Sequence, residues 1–374
     1  MKMRAAILEA LGAERPYSES RPLTIAELDL QGPGPGEVLV KVAAAGLCHS
    51  DLSVIDGNRP RPTPMALGHE ASGIVEEVGA GVTTFKPGDH VVMVFVPSCG
   101  VCIPCSSGRP ALCEPGAASN TAGTLLSGAH RLSYHGTTVN HHLGVSAFAE
   151  YATVSEHSLV KIDPGFDLIT AALFGCAVLT GVGAVVNTGQ VPPGATAAVI
   201  GLGGVGLCSL LGAVVSGASQ IIAIDLQDDK LALAKELGAT ATLNARDENV
   251  VQAVKDLTSG GVDYAFEMAG SVPALQLAWD ITRRGGTTVT AGLPHPEKKL
   301  SIAPVQLVAE ERTLKGSYVG ACIPRRDLPR YMALYNKGQL PVKKLLTDII
   351  ELEDINLGFE RLASGDAIRQ VITF

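Results

Sequence analysis

The chain has 374 residues, 46% of them apolar and 18% charged, with a net charge of −8. That is enough apolar material for two buried cores, and it excludes a disordered tether or a minimal disulfide scaffold. The acidic balance, with eight phenylalanines, seven tyrosines and one tryptophan, excludes a basic groove of stacking aromatics, so nucleic acid is not an expected partner.

At the N-terminus the apolar stretch Ala5 to Leu8 is cut short by Glu9, so no signal-peptide core is expected and the predicted location is the cytoplasm. Strand-like runs follow at VLVKVAAAG from Val38, GHEASGIVEEVG from Gly68, DHVVMVF from Asp89 and FAEYATV from Phe148, separated by turns such as GPGPGE and KPGDH. They predict an irregular β-rich domain. From Leu168 to Ile224 there is no Asp, Glu, Lys, Arg or His, a length that could span a bilayer. Eleven glycines and the pair Pro192, Pro193 interrupt it, and its borders, Asp167 and Asp225, are acidic. The stretch therefore reads as the centre of a parallel-sheet domain with strands buried on both faces, and no membrane partner is expected.

After residue 190 short apolar strands, ATAAVI (195–200), QIIAID (220–225), VDYAFEM (262–268) and GTTVTAG (286–292), alternate with helical segments such as DDKLALAKELG. In that segment Leu231, Ala234 and Leu237 share one face and Gly238 can end the helix. Such alternation predicts βαβ units and a doubly wound parallel sheet, hence an α/β chain. The tail returns to helices near Asp327–Asn336 and Glu353–Ser364 and a last strand, IRQVITF. The predicted division is a catalytic domain of residues 1–177 and 319–374, with a cysteine lobe at about 97–115, around a nucleotide domain of residues 178–318.

Gly201-Leu-Gly203-Gly204-Val205-Gly206 follows a predicted strand and opens a helix. In that setting the first glycine allows the tight turn, the second lets backbone approach a pyrophosphate at the helix N-terminus, and the third lets helix pack on strand. Asp225 ends the next strand, 19 residues past Gly206, where its carboxylate would accept from the adenosine ribose hydroxyls of a dinucleotide. Lys230 is a candidate for the same ribose or for a solvated helix face.

Four cysteines stand at Cys99-x2-Cys102-x2-Cys105-x7-Cys113, a spacing that suits a closed structural zinc site. A redox CxxC would leave the fourth cysteine without a role. Cys48 in GLCHSD, His69 in GHE and Cys176 in LFGCAVLTG are each ordinary alone. Together they make three ligands and leave zinc a fourth, open position, as a catalytic metal needs. Asp51 suits an acceptor for the other ring nitrogen of His69, and Glu70 adjoins the ligand without having to bind.

These motifs, with the terminal IRQVITF, resemble in order and spacing the zinc-dependent medium-chain alcohol dehydrogenases, over essentially the whole chain. The length between Glu114 and Leu143 resembles the long, liver-type branch. The resemblance implies a GroES-like catalytic domain and a Rossmann domain, two zinc ions per chain and NAD. It also implies that Ser50 receives the substrate proton and that Thr180 and Arg369 place the nicotinamide and the pyrophosphate. Phe95, His142 and Leu143 are expected to line the substrate pocket, on a pocket-edge loop in the case of His142. Family analogy predicts a homodimer, with a tetramer as the alternative. Polyol dehydrogenases of the family usually carry Glu where Cys176 stands, which favours simple primary alcohols.

Three positions depart from the family pattern: His49 stands where a pyrophosphate-binding Arg is common, Ser53 where a histidine often ends the proton relay, and Ala117 where the glutathione-dependent formaldehyde branch has Arg. Two competing readings, a zinc-ribbon scaffold and a zinc-free quinone reductase of similar fold, leave Cys48, Ser50, His69 and Cys176 without a use.

Overall fold

The computed structural model describes all 374 residues, in two compact units. The first comprises Met1–Cys176, Ile323–Pro329 and Lys343–Phe374, and the second Ala177–Cys322 and Arg330–Val342.

In the first unit, strands Lys2–Leu8, Leu23–Leu30, Leu132–Tyr134, Thr137–His141 and Met65–Ala66 close a barrel. Its interior is filled by Met3, Ala5, Ile7, Leu28, Leu30 and Val139. Beside it lies a seven-stranded sheet whose spine is the ten-residue strand Glu37–Gly46. Ala71–Val78, Tyr151–Ser155 and the C-terminal strand Arg369–Thr373 all pair with that spine. The pairing Val371 to Gly46 and the bond from Leu47 N–H to the Gln370 carbonyl (3.0 Å) bring the end of the chain beside Cys48.

The second unit is built on six parallel strands in the order Ala241–Asn244, Gln220–Asp225, Thr196–Ile200, Val262–Glu267, Thr282–Thr290 and Thr313–Gly316. Numbered along the unit, that order is 3-2-1-4-5-6, the doubly wound arrangement of a dinucleotide-binding fold. Val250, Val254, Ala278 and Ile281 from flanking helices cover Ala198, Ile200, Ile222, Ile224 and Ala265.

Two expectations change here. The first part of the charge-free stretch is helical instead of sheet, with helices Leu168–Ala172 and Ala177–Gly183 and a π-helical turn Ala184–Gly189. Asp167 starts it, accepting the Ile169 and Thr170 N–H groups at 3.3 Å each. Helix Ala177–Gly183 is buried at every residue, which removed the one-sided periodicity that marks a helix in sequence. No single helix is long and apolar enough to cross a membrane. Residues 330–342, expected in the catalytic domain, belong to the second unit, where Tyr331 Oη lies 3.4 Å from Asn187 Nδ2 and 3.8 Å from Cys322 Sγ.

Candidate active site and metal centres

The end of the spine strand delivers Cys48 as the residue that precedes helix His49–Ile55, in extended conformation. His69 and Glu70 precede strand Ala71–Val78, and Cys176 follows the turn Leu173–Gly175. One donor atom each from Cys48, His69, Glu70 and Cys176 lies within 4.8 Å of the others, and all four residues are buried. Arg369, on the C-terminal strand, is 4% exposed and its guanidinium pairs with Glu70.

This cluster is rich in anionic groups. The Cys176 thiol beside it, with His69, holds the Cys48 thiol well below its ordinary range against the opposing effect of burial. Burial pushes the His69 imidazole down, but Asp51 and Cys48 outweigh it and raise it to about 10. Two soft thiolates and an imidazole nitrogen around a site that attracts positive charge fit a zinc ion.

Asp51 is fully buried beneath His69, with Oδ2 at 2.9 Å from His69 Nδ1. Its Oδ1 lies 3.0 Å from His142 Nδ1 and accepts the Gly68 N–H at 3.0 Å. Burial raises the Asp51 carboxyl, but the charges and hydrogen bonds of the two histidines leave it below the usual carboxylate range. Asp51, His69 and His142 also approach one another closely enough to resemble a metal cluster. Separations of 2.9 and 3.0 Å, however, fall short of the roughly 3.3 Å between neighbouring N/O ligands on tetrahedral zinc. They are close ring-to-carboxylate approaches.

Phe95 meets His69 edge-on, with centroids 5.1 Å apart, and Leu143 is buried next to His142. His142 differs from expectation: it is 1% exposed and its Nδ1 faces Asp51 at 3.0 Å instead of forming a pocket edge. The hairpin Leu132–Tyr134 and Thr137–His141, which carries no clean alternation in sequence, closes the barrel and turns the ring inward. His141 points elsewhere, its Nε2 accepting the Arg131 N–H at 3.0 Å. Ser50 is half-buried with Oγ 3.9 Å from Cys48 Sγ, and Ser53 Oγ donates to the Ser50 carbonyl at 3.0 Å. His49 is exposed in the first turn of its helix.

The four clustered cysteines also converge, with sulfurs within 4.8 Å of one another. The Cys102 and Cys113 sulfurs are 4.0 Å apart, close to the roughly 3.8 Å edge of a tetrahedral ZnS4 site. The Cys99 and Gly116 N–H groups point at Cys113 Sγ (3.2 and 3.4 Å), and the Cys102 N–H points at Cys99 Sγ (3.4 Å). Backbone N–H groups of Val101 and Cys102 bring the Cys99 thiol down to about 7, whereas burial pushes Cys105 up to about 12. A shared cation is what lets four such thiolates coexist.

In the second unit, Gly201 has φ +88° and a Cβ on Gly206 would collide with the Gly201 carbonyl oxygen. Nothing stands within 4 Å of the place a Gly203 Cβ would occupy, at the N-terminus of helix Gly204–Val215, whose first turn includes Val205. This open, uncapped helix end fits a pyrophosphate. Asp225 Oδ2 accepts the Leu202 N–H at 2.6 Å and Oδ1 the Gln227 N–H at 3.0 Å. Lys230 is half-buried on helix Asp228–Glu236, and Thr180 is buried on helix Ala177–Gly183. Sequence reasoning missed the Glu70–Arg369 pair and the His142–Asp51 approach, both made between residues far apart in the chain.

Two family models match. Residues 34–164 match the alcohol dehydrogenase GroES-like domain and residues 204–337 the zinc-binding dehydrogenase domain. A Mycobacterium tuberculosis protein named "Putative alcohol dehydrogenase D" is 42% identical, over 100% of both chains. The crystal structure of a benzyl alcohol dehydrogenase from Acinetobacter calcoaceticus superposes with a TM-score of 0.93 at 34% identity, covering 100% of this chain and 99% of that one. An alcohol dehydrogenase zinc-binding domain protein from Burkholderia ambifaria gives 0.94 at 34% identity, with the same coverage.

Proposed function

Because the chain belongs to the zinc-dependent medium-chain alcohol dehydrogenases, we propose that it interconverts apolar primary alcohols, aliphatic or aromatic, and their aldehydes with NAD. It is an oxidoreductase that uses zinc and a nicotinamide coenzyme. The observation that carries the zinc chemistry is the buried donor set Cys48, His69 and Cys176. These three would hold the catalytic ion, and Cys99, Cys102, Cys105 and Cys113 a second, structural one. When bound, zinc supplies a Lewis acid that lowers the pKa of an alcohol hydroxyl, and the nicotinamide accepts the hydride.

The chain's own residues do the rest. Asp51 accepts from His69 Nδ1 and so leaves Nε2 as the ligand nitrogen. Ser50 Oγ takes the substrate hydroxyl proton. Ser53 is already committed to the Ser50 carbonyl and a serine does not hold a proton near neutral pH, so as Ser50 takes the substrate proton its own hydroxyl proton would pass to water instead of to a terminal histidine. In the second unit the glycine turn 201–206 would hold the pyrophosphate and Asp225 the ribose, with Lys230 on the helix that follows, and Thr180 would position the nicotinamide.

Phe95 and Leu143, both buried and apolar, support a pocket for uncharged substrates, as does similarity to an enzyme named for benzyl alcohol. A reducing, cytoplasmic setting suits the clustered thiolates. A homodimer is supported by strand Thr313–Gly316 ending its sheet and by the apolar Val305 and Val308, 65% and 80% exposed. With NAD, the protein should oxidise butanol and benzyl alcohol, followed by NADH absorbance, faster than polyols or the glutathione–formaldehyde adduct. Faster turnover of the adduct, or none of the primary alcohols, would overturn the substrate reading.

A further inference from the structure

A carboxylate held by one hydrogen bond can still rotate about its Cβ–Cγ bond, because that torsion is broad. Asp51 is held from three sides: His69 Nδ1 at 2.9 Å on Oδ2, and His142 Nδ1 and the Gly68 N–H, each at 3.0 Å, on Oδ1. An ionised carboxylate only accepts, so a proton shared across either of these short distances has to sit on the imidazole Nδ1. His142 is itself fixed. Its backbone N–H donates to Ser146 Oγ at 2.9 Å, and that hydroxyl donates to the Ala66 carbonyl at 2.8 Å. Its ring stands edge-on to His69 with centroids 5.6 Å apart.

The segment that ends at His142 starts in the cysteine lobe. Cys113 Sγ caps helix Glu114–Ala122 by accepting the Gly116 N–H. From that helix Asn120 Nδ2 donates to the Phe95 carbonyl at 3.0 Å, and Phe95 packs against His69. The segment thus reaches His69 by two routes, a ring contact through Phe95 and the short approach of His142 Nδ1 to Asp51.

We propose that His142 is a positioning residue for the metal ligand His69: its Nδ1–H on the second oxygen of Asp51 locks the carboxylate, and through it the tautomer and orientation of His69, so that zinc is retained at Cys48, His69 and Cys176. The inference rests on the reading of those three residues as the catalytic metal site. Outer hydrogen-bond partners of metal ligands are typically worth 10–100-fold in metal affinity. Because Gly68 N–H still holds Oδ1, the lower end of that range is expected.

The test uses the zinc-loaded enzyme challenged with EDTA, and the enzyme with cobalt at the catalytic site. His142→Phe keeps a ring without the donor. His142→Asn places an amide N–H near the position of Nδ1. Release of the catalytic zinc should be about tenfold faster in His142→Phe, with shifted cobalt d–d bands. It should be near wild type in His142→Asn, and release of the lobe zinc should be unchanged in both. Wild-type behaviour of His142→Phe with loss in His142→Asn would show that ring packing alone matters and overturn the proposal. Nitrogen-15 NMR of the wild type gives a check that no variant can spoil: His142 must be the Nδ1–H tautomer, and an Nε2–H ring overturns the proposal. A wild type that takes up only the lobe zinc, with no loss of metal in Cys48→Ser, would sink the metal-site reading as well. Two zincs per wild-type chain with the adverse variant pattern would sink only the role of His142.

Discussion

Asp225 keeps its negative charge pinned beside the glycine turn by accepting one backbone N–H on each oxygen, from Leu202 and Gln227. It cannot swing away from a 2′-phosphate at low cost, and the residues that follow it, Leu226 and Gln227, bring no positive charge. Two like charges about 4 Å apart cost roughly 4 kcal/mol at an effective dielectric of ~20, and ~1.4 kcal/mol is already tenfold. The ratio of kcat/KM for NAD over NADP should therefore exceed tenfold, and Asp225→Asn should narrow it; equal values in the wild type would contradict this. At the proton path the two serines separate by geometry. Ser50 Oγ sits near the Cys48 sulfur, whereas Ser53 Oγ is spent on a helix carbonyl. Ser50→Ala should lose most of kcat/KM for alcohol oxidation, with deuterated alcohol confirming whether hydride transfer limits the rate, while Ser53→Ala should lose little. Comparable losses in both would show that the relay runs through Ser53 after all.

At the scale of elements, the two metal clusters are built differently. The lobe Cys99–Cys113 has only short helical pieces, Ile103–Ser106 and Pro110–Leu112, and leaves Val101 and Ile103 85% and 77% exposed. So little apolar burial cannot hold it closed, and the ion must. Cys113 also caps the helix that follows, so Cys113→Ser removes a ligand and weakens a cap together. It should remove one zinc per chain and lower the melting temperature by several degrees, since about 1 kcal/mol shifts a domain of 150–250 residues by ~2–4 °C. Cys176 is instead anchored by elements that stand without metal, the turn Leu173–Gly175 and the sheet behind it. Cys176→Ser should remove the other zinc and nearly all turnover while leaving the melting temperature close to wild type. Metal analysis with calorimetry on both variants checks the pair, and a single zinc in fully active wild type would refute it.

At the scale of the whole molecule, the parallel sheet ends in strand Thr313–Gly316, whose outer edge is unpaired. Such an edge is a template for pairing with another copy, and Val305 and Val308 of helix Pro304–Ala309 are apolar and exposed. Sedimentation velocity should find a dimer in the wild type and mainly monomer in Val308→Asp; a wild-type monomer at micromolar concentration would refute it. Much of this architecture is legible in the sequence because its signals are local. The strand–glycine turn–helix around 195–215 depends on neighbouring residues alone, and so do the acidic end of the next strand at Asp225 and the spacing of the four lobe cysteines. Cys48, His69 and Cys176 could be named because their short motifs match a family. The helical character of Ala177–Gly183 could not be read, since a helix buried on every side loses its period. Nor could the partners of Asp51 and Glu70. His142 reaches Asp51 only because a hairpin with weak alternation closes the barrel, and Arg369 reaches Glu70 only because the last strand pairs with the spine strand. The sequence alone determined which residue types were available for metal and coenzyme. Tertiary pairing decided which buried charges would meet, because contacts between distant segments depend on sheet register and chain crossing, which leave no trace in local periodicity.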